Sequence, residues 1–138
     1  MTDKHSKNQD NAENNGKKIG DLVLRTIAMP KDTNFNGDIF GGWLLSQMDL
    51  GGCVAARKIS KSRVTTIAVD KMVFENAVHV GDTVCCYARH IKTGKTSMQF
   101  EMTVNIVREG IYEHKEVTKA IFTYVAIDDC GKPIPVDR

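Results

Sequence analysis

The chain has 138 residues, 41% of them hydrophobic and 26% charged, with a formal net charge of +2, which is the size and balance of one globular domain and leaves no room for a second catalytic one. A near-neutral charge with no long basic stripe gives no support to nucleic-acid binding, and the apolar runs fall far short of the roughly 20 residues of a membrane helix. The opening MTDKHSKNQDNAENNGKK lacks the apolar core of a secretory signal, so a cytoplasmic protein without an integral membrane segment is expected.

Residues 1–19 are polar, with Met1, Ala12 and Ile19 the only apolar side chains. Such a stretch cannot offset its ordering entropy, so a disordered tail is expected there and a single folded domain over 20–138. Asp21 to Met29 (DLVLRTIAM) reads as a strand ended by Pro30, which cannot continue a ladder. Lys31 to Gly37 (KDTNFNG) is dense in turn formers and reads as a loop. From Gly41 or Gly42 to about Ile59 the apolar spacing becomes helical, with Arg57 and Lys58 at the end where cations suit the helix dipole.

After Lys61-Ser62-Arg63 the sequence becomes strand-like. Val64 to Phe74 is β-branched, Val80-Gly81-Asp82 is a turn, Thr83 to Ile91 is a strand, and Lys92 to Lys95 is a hairpin turn. Thr96 to Val107 alternates, with Met98, Phe100, Met102, Val104 and Ile106 on a packed face and Gln99, Glu101, Thr103 and Asn105 on a wet one. Val117 to Ile127 is apolar on both faces, as for an interior strand, and Asp128 to Lys132 is a turn. One long helix among tightly connected strands gives an α+β domain whose helix lies on one face of an antiparallel sheet.

Four cysteines, Cys53, Cys85, Cys86 and Cys130, include no CxxC pair and no histidine at ligand spacing, which argues for small reduced core residues rather than a metal site. Adjacent Cys85 and Cys86 belong on opposite faces of a strand.

The informative residue is Asp49. On a helical wheel Leu45, Gly52 and Ala56 lie within about 60° of it, and Met48 is near that stripe. A carboxylate on the core-facing stripe, with no cation beside it, is a functional candidate where it lines a cleft. The plainer alternative is a carboxylate satisfied by backbone donors or set in a polar subunit seam. Gly41 and Gly42 open the helix and offer bare backbone N–H groups suited to an oxyanion or a phosphate; helix-start glycines for tight packing are the alternative. Gly51 and Gly52, in mid-helix, imply close approach by a strand, a second subunit or a ligand. Cys53 has no histidine partner, and the serines lack a GxSxG elbow. Arg57, Lys58, Lys61 and Arg63 are either a solvated helix end or a holder of nucleotide phosphates.

The stretch LVLRTIAMPKDTNFNGDIFGGWLLSQMDLGG, with RVTTIAVDKMVF, VGDTVCCYARHIKTGKTS and AIFTYVAID after it, resembles the YciA-type acyl-CoA thioesterases of the hotdog superfamily. The resemblance implies a hotdog fold, in which an antiparallel sheet wraps a long central helix, and hydrolysis of acyl-CoA thioesters to free acid and CoA with broad chain-length tolerance. It implies no cofactor, since CoA is part of the substrate. It implies a homodimer whose sheets join and whose sites lie between subunits, commonly built up into a trimer of dimers. The family's helix carboxylate falls on Asp49, its loop asparagine on Asn34, expected to face Asp49 of the other subunit, and its helix-start glycines on Gly41 and Gly42. Arg63, Thr65, Lys95 and Ser97 fall where CoA contacts are expected. Two departures stand out: the long polar N-terminal stretch and the short run after the last strand. Two rival functions remain open, a hotdog dehydratase or hydratase, which wants a histidine beside a carboxylate, and a non-catalytic acyl-CoA binding module.

Overall fold

The computed structural model describes residues 13, 14 and 17–138. The tail expected over 1–19 therefore lies mostly outside the described residues. Within it, β1 (Glu13–Asn14) pairs antiparallel with β2 (Lys17–Lys18), and Ile19 is buried.

Strand β3 (Asp21–Ile27) ends where Pro30 opens a short 3-10 turn, Pro30–Asp32. The loop after it closes on itself through a bridge between Thr33 and Ile39 and delivers the chain to helix α1 (Gly41–Ser60). The helix stops at Lys61, whose left-handed backbone (φ 53°) caps it by donating its N–H to the Arg57 carbonyl. Four long strands follow: β4 (Arg63–Phe74), β5 (Thr83–Thr93), β6 (Ser97–Val107) and β7 (His114–Ile127).

The strands form one antiparallel sheet in the order β3-β5-β6-β7-β4. Helix α1 packs against all five of them, so the sheet curves around a single central helix as the hotdog expectation requires. Leu44, Met48 and Ala56 of the helix meet Cys86, Met98, Phe122 and Tyr124 of the sheet in one core. Apolar burial on this scale is the main driving force for folding. The mid-helix glycines are explained by that packing. A Cβ on Gly51 would strike the Val23 side chain, and one on Gly52 would overlap the Tyr124 hydroxyl.

Cys86 faces this core while Cys85 turns to the sheet's other side, in a small cluster with Ile19, Tyr87 and Leu22. That cluster corrects the expectation for β6. Thr103 and Asn105, opposite Tyr87 and Cys85 in register, are buried rather than wet, because packing on the outer face continues over this half of the strand. Cys130, expected in the core, is exposed in the turn after β7. Among the described residues no helix is long and apolar enough to cross a membrane.

Candidate active site

Asp49 lies two turns into α1, half-buried, where the helix faces the start of edge strand β4. Met48, Gly52 and Ala56 of its stripe are buried, but Leu45 is exposed. The carboxylate thus sits at the rim of the core stripe. Its Oδ1 accepts two hydrogen bonds, from Thr66 Oγ1 at 2.6 Å and from the Tyr124 hydroxyl at 3.1 Å. The same hydroxyl lies 3.2 Å from the Asp49 main-chain oxygen. All of the donors on the side chain are neutral, and both use one oxygen. Oδ2 has no hydrogen-bond partner among the described residues.

Both donors come from the sheet. Thr66 pairs with Tyr124 across β4 and β7, and the next position, Thr65, pairs with Val125. Side chains alternate along a strand, so Thr66 and Tyr124 face the helix and Thr65 faces away. A bulge between Thr66 and Ala68 interrupts the ladder just beyond, a device that redirects side chains at sheet edges near functional sites.

Gly42, Leu45, Ser46, Asp49, Thr66, Val69 and Phe122 line an open cleft of about 270 Å³. Its walls are apolar at Leu45, Val69 and Phe122, and the carboxylate is its one charge, which suits an apolar chain bearing a polar reacting group. Phe40 at the N-cap provides no capping side chain, and the first turn holds no acidic residue. Trp43 donates its N–H to the Phe40 carbonyl (3.1 Å), and among the described residues no acceptor meets the N–H groups of Gly41 and Gly42, which leaves them for one from outside.

Burial, then the Asp49 charge, push the Tyr124 phenol far above its ordinary range, so it remains a donor. Burial and the same charge push the Cys53 thiol up as well, against the opposing pull of Arg57. A thiol held protonated is a poor nucleophile, and Asp49 is the one charged side chain that lines the cleft. No histidine lines it, and among the described residues no cluster of His, Cys, Asp or Glu is placed to hold a metal.

The other residues singled out in the sequence are spread over the subunit. Asn34 is exposed in its loop, its Oδ1 accepting from the backbone N–H of Asn36 (2.8 Å) and Asp38 (3.2 Å). Its amide NH2 has no partner among the described residues. With Gly41, Leu44, Phe74 and Asn76 it lines a separate pocket of about 220 Å³, so one chain does not bring Asn34 to Asp49. Arg63 opens β4, donates to the Asp129 carbonyl (3.2 Å), and joins Arg57, Lys58, Lys61 and Ser62 around an open cleft of about 580 Å³ at the helix C-terminus. Thr65 and Ser97 flank Val125 in register, on the face away from Asp49, and Lys95 is exposed in the β5–β6 turn. Thr66 and Tyr124 carried no mark in the sequence beyond hydroxyls in strands; the register of β4 against β7 was needed to find them.

The model of the thioesterase superfamily matches residues 36–111. The chain is 52% identical over 120 residues to the acyl-CoA thioester hydrolase YciA of Salmonella typhimurium, covering 85% of this chain and 90% of that protein. Among solved structures it is similar to the hexameric thioesterase y2039 of Yersinia pestis, with TM-score 0.82, 54% identity and coverage of 86% of this chain and 97% of that one. It is also similar to Cj0915, a hexameric hotdog fold thioesterase of Campylobacter jejuni, with TM-score 0.81, 44% identity and coverage of 85% and 90%.

Proposed function

This chain belongs to the thioesterase superfamily as an acyl-CoA thioester hydrolase of the YciA type, and we propose that Asp49 is the carboxylate through which it cleaves the thioester. The observation that carries this reading is the uneven treatment of the two carboxylate oxygens. Oδ1 is held by Thr66 and Tyr124, and among the described residues Oδ2 has no partner in a carboxylate that lines the cleft. In the reaction Oδ2 takes a proton from a water as that water attacks the thioester carbonyl. The tetrahedral intermediate then collapses with loss of the CoA thiolate, a leaving group that needs no dedicated acid.

The oxyanion is assigned to the free N–H groups at Gly41 and Gly42, with the Asn34 amide as a further donor. A helix rises about 1.5 Å per residue, so Asp49 lies on the order of 10 Å along the axis from the Gly42 amide. Within one copy Asn34 and Gly41 open on a different pocket from Asp49, and reacting groups must come within about 3–3.5 Å. The site is therefore read as composite: Asn34, Gly41 and Gly42 from one subunit, Asp49, Thr66 and Tyr124 from a second. The exposed apolar side chains Leu45, Ile67, Val69 and Val73 along α1 and β4 support pairing of two copies there. Exposed apolar side chains gathered along one helix and one edge strand are characteristic of subunit interfaces. The hexameric relatives support assembly of three such dimers. The cations at the helix C-terminus, with Arg63 among them, take the CoA phosphates, and Lys95, Ser97 and Thr65 are kept as CoA contacts from another copy. No resident cofactor is used. Cytoplasmic acyl-CoA is the substrate pool.

Thiol release from short, medium and long acyl-CoAs tests the reading, with wild type compared to Asp49→Asn. A loss of about a hundredfold or more is expected, the range for a missing catalytic base. Equal activity of the two proteins would remove Asp49 from the chemistry. Single-turnover hydrolysis in heavy-oxygen water separates the routes: label entering Asp49 means direct attack through a mixed anhydride instead.

A further inference from the structure

Tyr124 is wholly buried, yet its hydroxyl is one of two groups that touch the Asp49 carboxylate. A tyrosine in a β-strand reaches a helix backbone only where the helix lacks a side chain. Gly52 supplies that opening, since a Cβ there would overlap the hydroxyl. A mid-helix glycine costs roughly 1 kcal/mol relative to alanine, and Gly51 stands beside it. The site keeps this cost and the phenol together.

We infer that Tyr124, admitted by Gly52, is a positioning residue of the reaction: it fixes the orientation of Asp49 and sets how readily that carboxylate takes a proton. The inference rests on Asp49 being the proton acceptor. Tyr124 and Thr66 both donate to Oδ1, from β7 and β4, and two anchors on one oxygen hold the carboxylate plane so that Oδ2 faces the cleft. The hydroxyl also has a second acceptor, the Asp49 main-chain oxygen at 3.2 Å. When Oδ2 carries the water's proton and the carboxylate loses its charge, the phenol proton turns to the main chain and stays hydrogen-bonded. No proton leaves Tyr124. It is a donor that follows the charge of its neighbour.

The other titratable groups around Asp49 keep this effect legible. Cys53 and Arg57 lie on its own helix, Cys86 on β5 is close enough to Tyr124 to act on it, β4 contributes the uncharged Thr66, and β3 contributes Val23 and Leu24 opposite Gly51. Burial pushes Cys86 up to about 12 and raises Cys53, each helped by a neighbouring group. Neither thiol ionises in the acidic and neutral range where a carboxylate base is read.

The experiment is the pH profile of kcat and KM for butyryl-CoA hydrolysis by the assembled enzyme, in wild type, Tyr124→Phe and a form with difluorotyrosine at 124. Phenylalanine removes one donor from the charged carboxylate. Its acid limb is expected to move to higher pH, with kcat about tenfold lower near neutrality and KM within twofold of wild type. Difluorotyrosine keeps the ring and hydroxyl but donates more strongly, so its acid limb is expected to move the other way. That arm stands even where the Phe form folds poorly. Acid limbs that coincide in all folded forms would make Tyr124 a core residue only and overturn the proposal. Asp49→Asn is run alongside: if it keeps full activity, the assignment of Asp49 fails first, and the Tyr124 proposal falls with it for that separate reason.

Discussion

Two carboxylates in this fold are treated in opposite ways. Asp82, in the turn before β5, is 2% exposed and fully satisfied. Arg108 donates to it twice, at 2.9 Å to each oxygen, and the His79 backbone N–H adds a bond at 2.8 Å. Among the described residues Asp49 receives no cation and no backbone donor, only two hydroxyls on one oxygen, and it borders a cleft. A carboxylate that holds structure together is saturated with donors and charge. The one proposed to take a proton is oriented by neutral donors and open on one side. The contrast lies in the donor sets and in the open side that Asp49 alone has. Burial alone would push the Asp82 carboxyl up, but the Arg108 hydrogen bonds, the His79 N–H and the Arg108 charge outweigh it and hold the carboxyl below its usual range.

The contrast is sharpest when both residues are changed to asparagine. Asp49→Asn is expected to lose activity by about a hundredfold or more while its urea midpoint stays near wild type. Asp82→Asn is expected to do the reverse. It leaves Arg108 without its carboxylate, and since Arg108 is partly exposed the cost is discounted to about 2 kcal/mol, with kcat of the folded enzyme unchanged. The acid behaviour has a definite sign. A carboxyl lowered by folding contributes stability that is present above its unfolded value near about 3.9 and is lost as the pH falls through the folded value. Wild type should therefore shed stability below about pH 4 more steeply than Asp82→Asn. Urea titrations from pH 6 down to pH 3, at equal protein concentration, measure this. Loss of activity in both variants, or loss of stability in both, would end the distinction between the two carboxylates.

The difference between these residues was only half legible in the sequence. Asp49 stood out because a helix carries its pattern locally, and a charge on a core-facing stripe violates it. Asp82 was read only as part of a turn, since its partner Arg108 is 26 positions away across a strand pairing. Thr66 and Tyr124 were invisible for the same reason. A hydroxyl in a strand has no meaning until register decides its face, and a shift of one position exchanges Thr66 for Thr65. The glycine pair did signal close approach, and two sheet side chains, Val23 and Tyr124, make it. The wet face assigned to β6 failed at Thr103 and Asn105 because alternation reports polarity and not what packs over it.

Thr66 offers a finer cut. Thr66→Val keeps the shape of the side chain and removes its hydroxyl, at 2.6 Å the shorter of the two bonds to Asp49. A drop in kcat of about tenfold is expected, in keeping with loss of one hydrogen bond to a charged group, with KM and stability close to wild type. Combined with Tyr124→Phe, the losses should be more than additive. Either donor alone still fixes the carboxylate, and with both gone it is free to turn. Strict additivity would mean that the two hydroxyls act independently and do not share the task of orienting one oxygen.

The smallest expected effect lies farthest from the carboxylate. Lys58 and Lys61 border the basic cleft at the C-terminal end of α1, roughly 12 Å or more along the helix axis from Asp49. Surface cations act over such distances on affinity and not on chemistry, and salt screens them. Lys58→Gln with Lys61→Gln should raise KM for acyl-CoA a few fold at low ionic strength, with kcat unchanged, and the rise should shrink toward wild type in 0.5 M salt. A truncated thioester that keeps the acyl group but lacks the nucleotide supplies the control, because it has no phosphates to lose contact with. Its KM should be the same in both proteins. An equal rise for the truncated thioester would mean that the lysines act on the fold or the assembly. No rise for either substrate would return the cluster to an ordinary solvated helix end and leave the phosphates to Arg57, Arg63 or a neighbouring subunit.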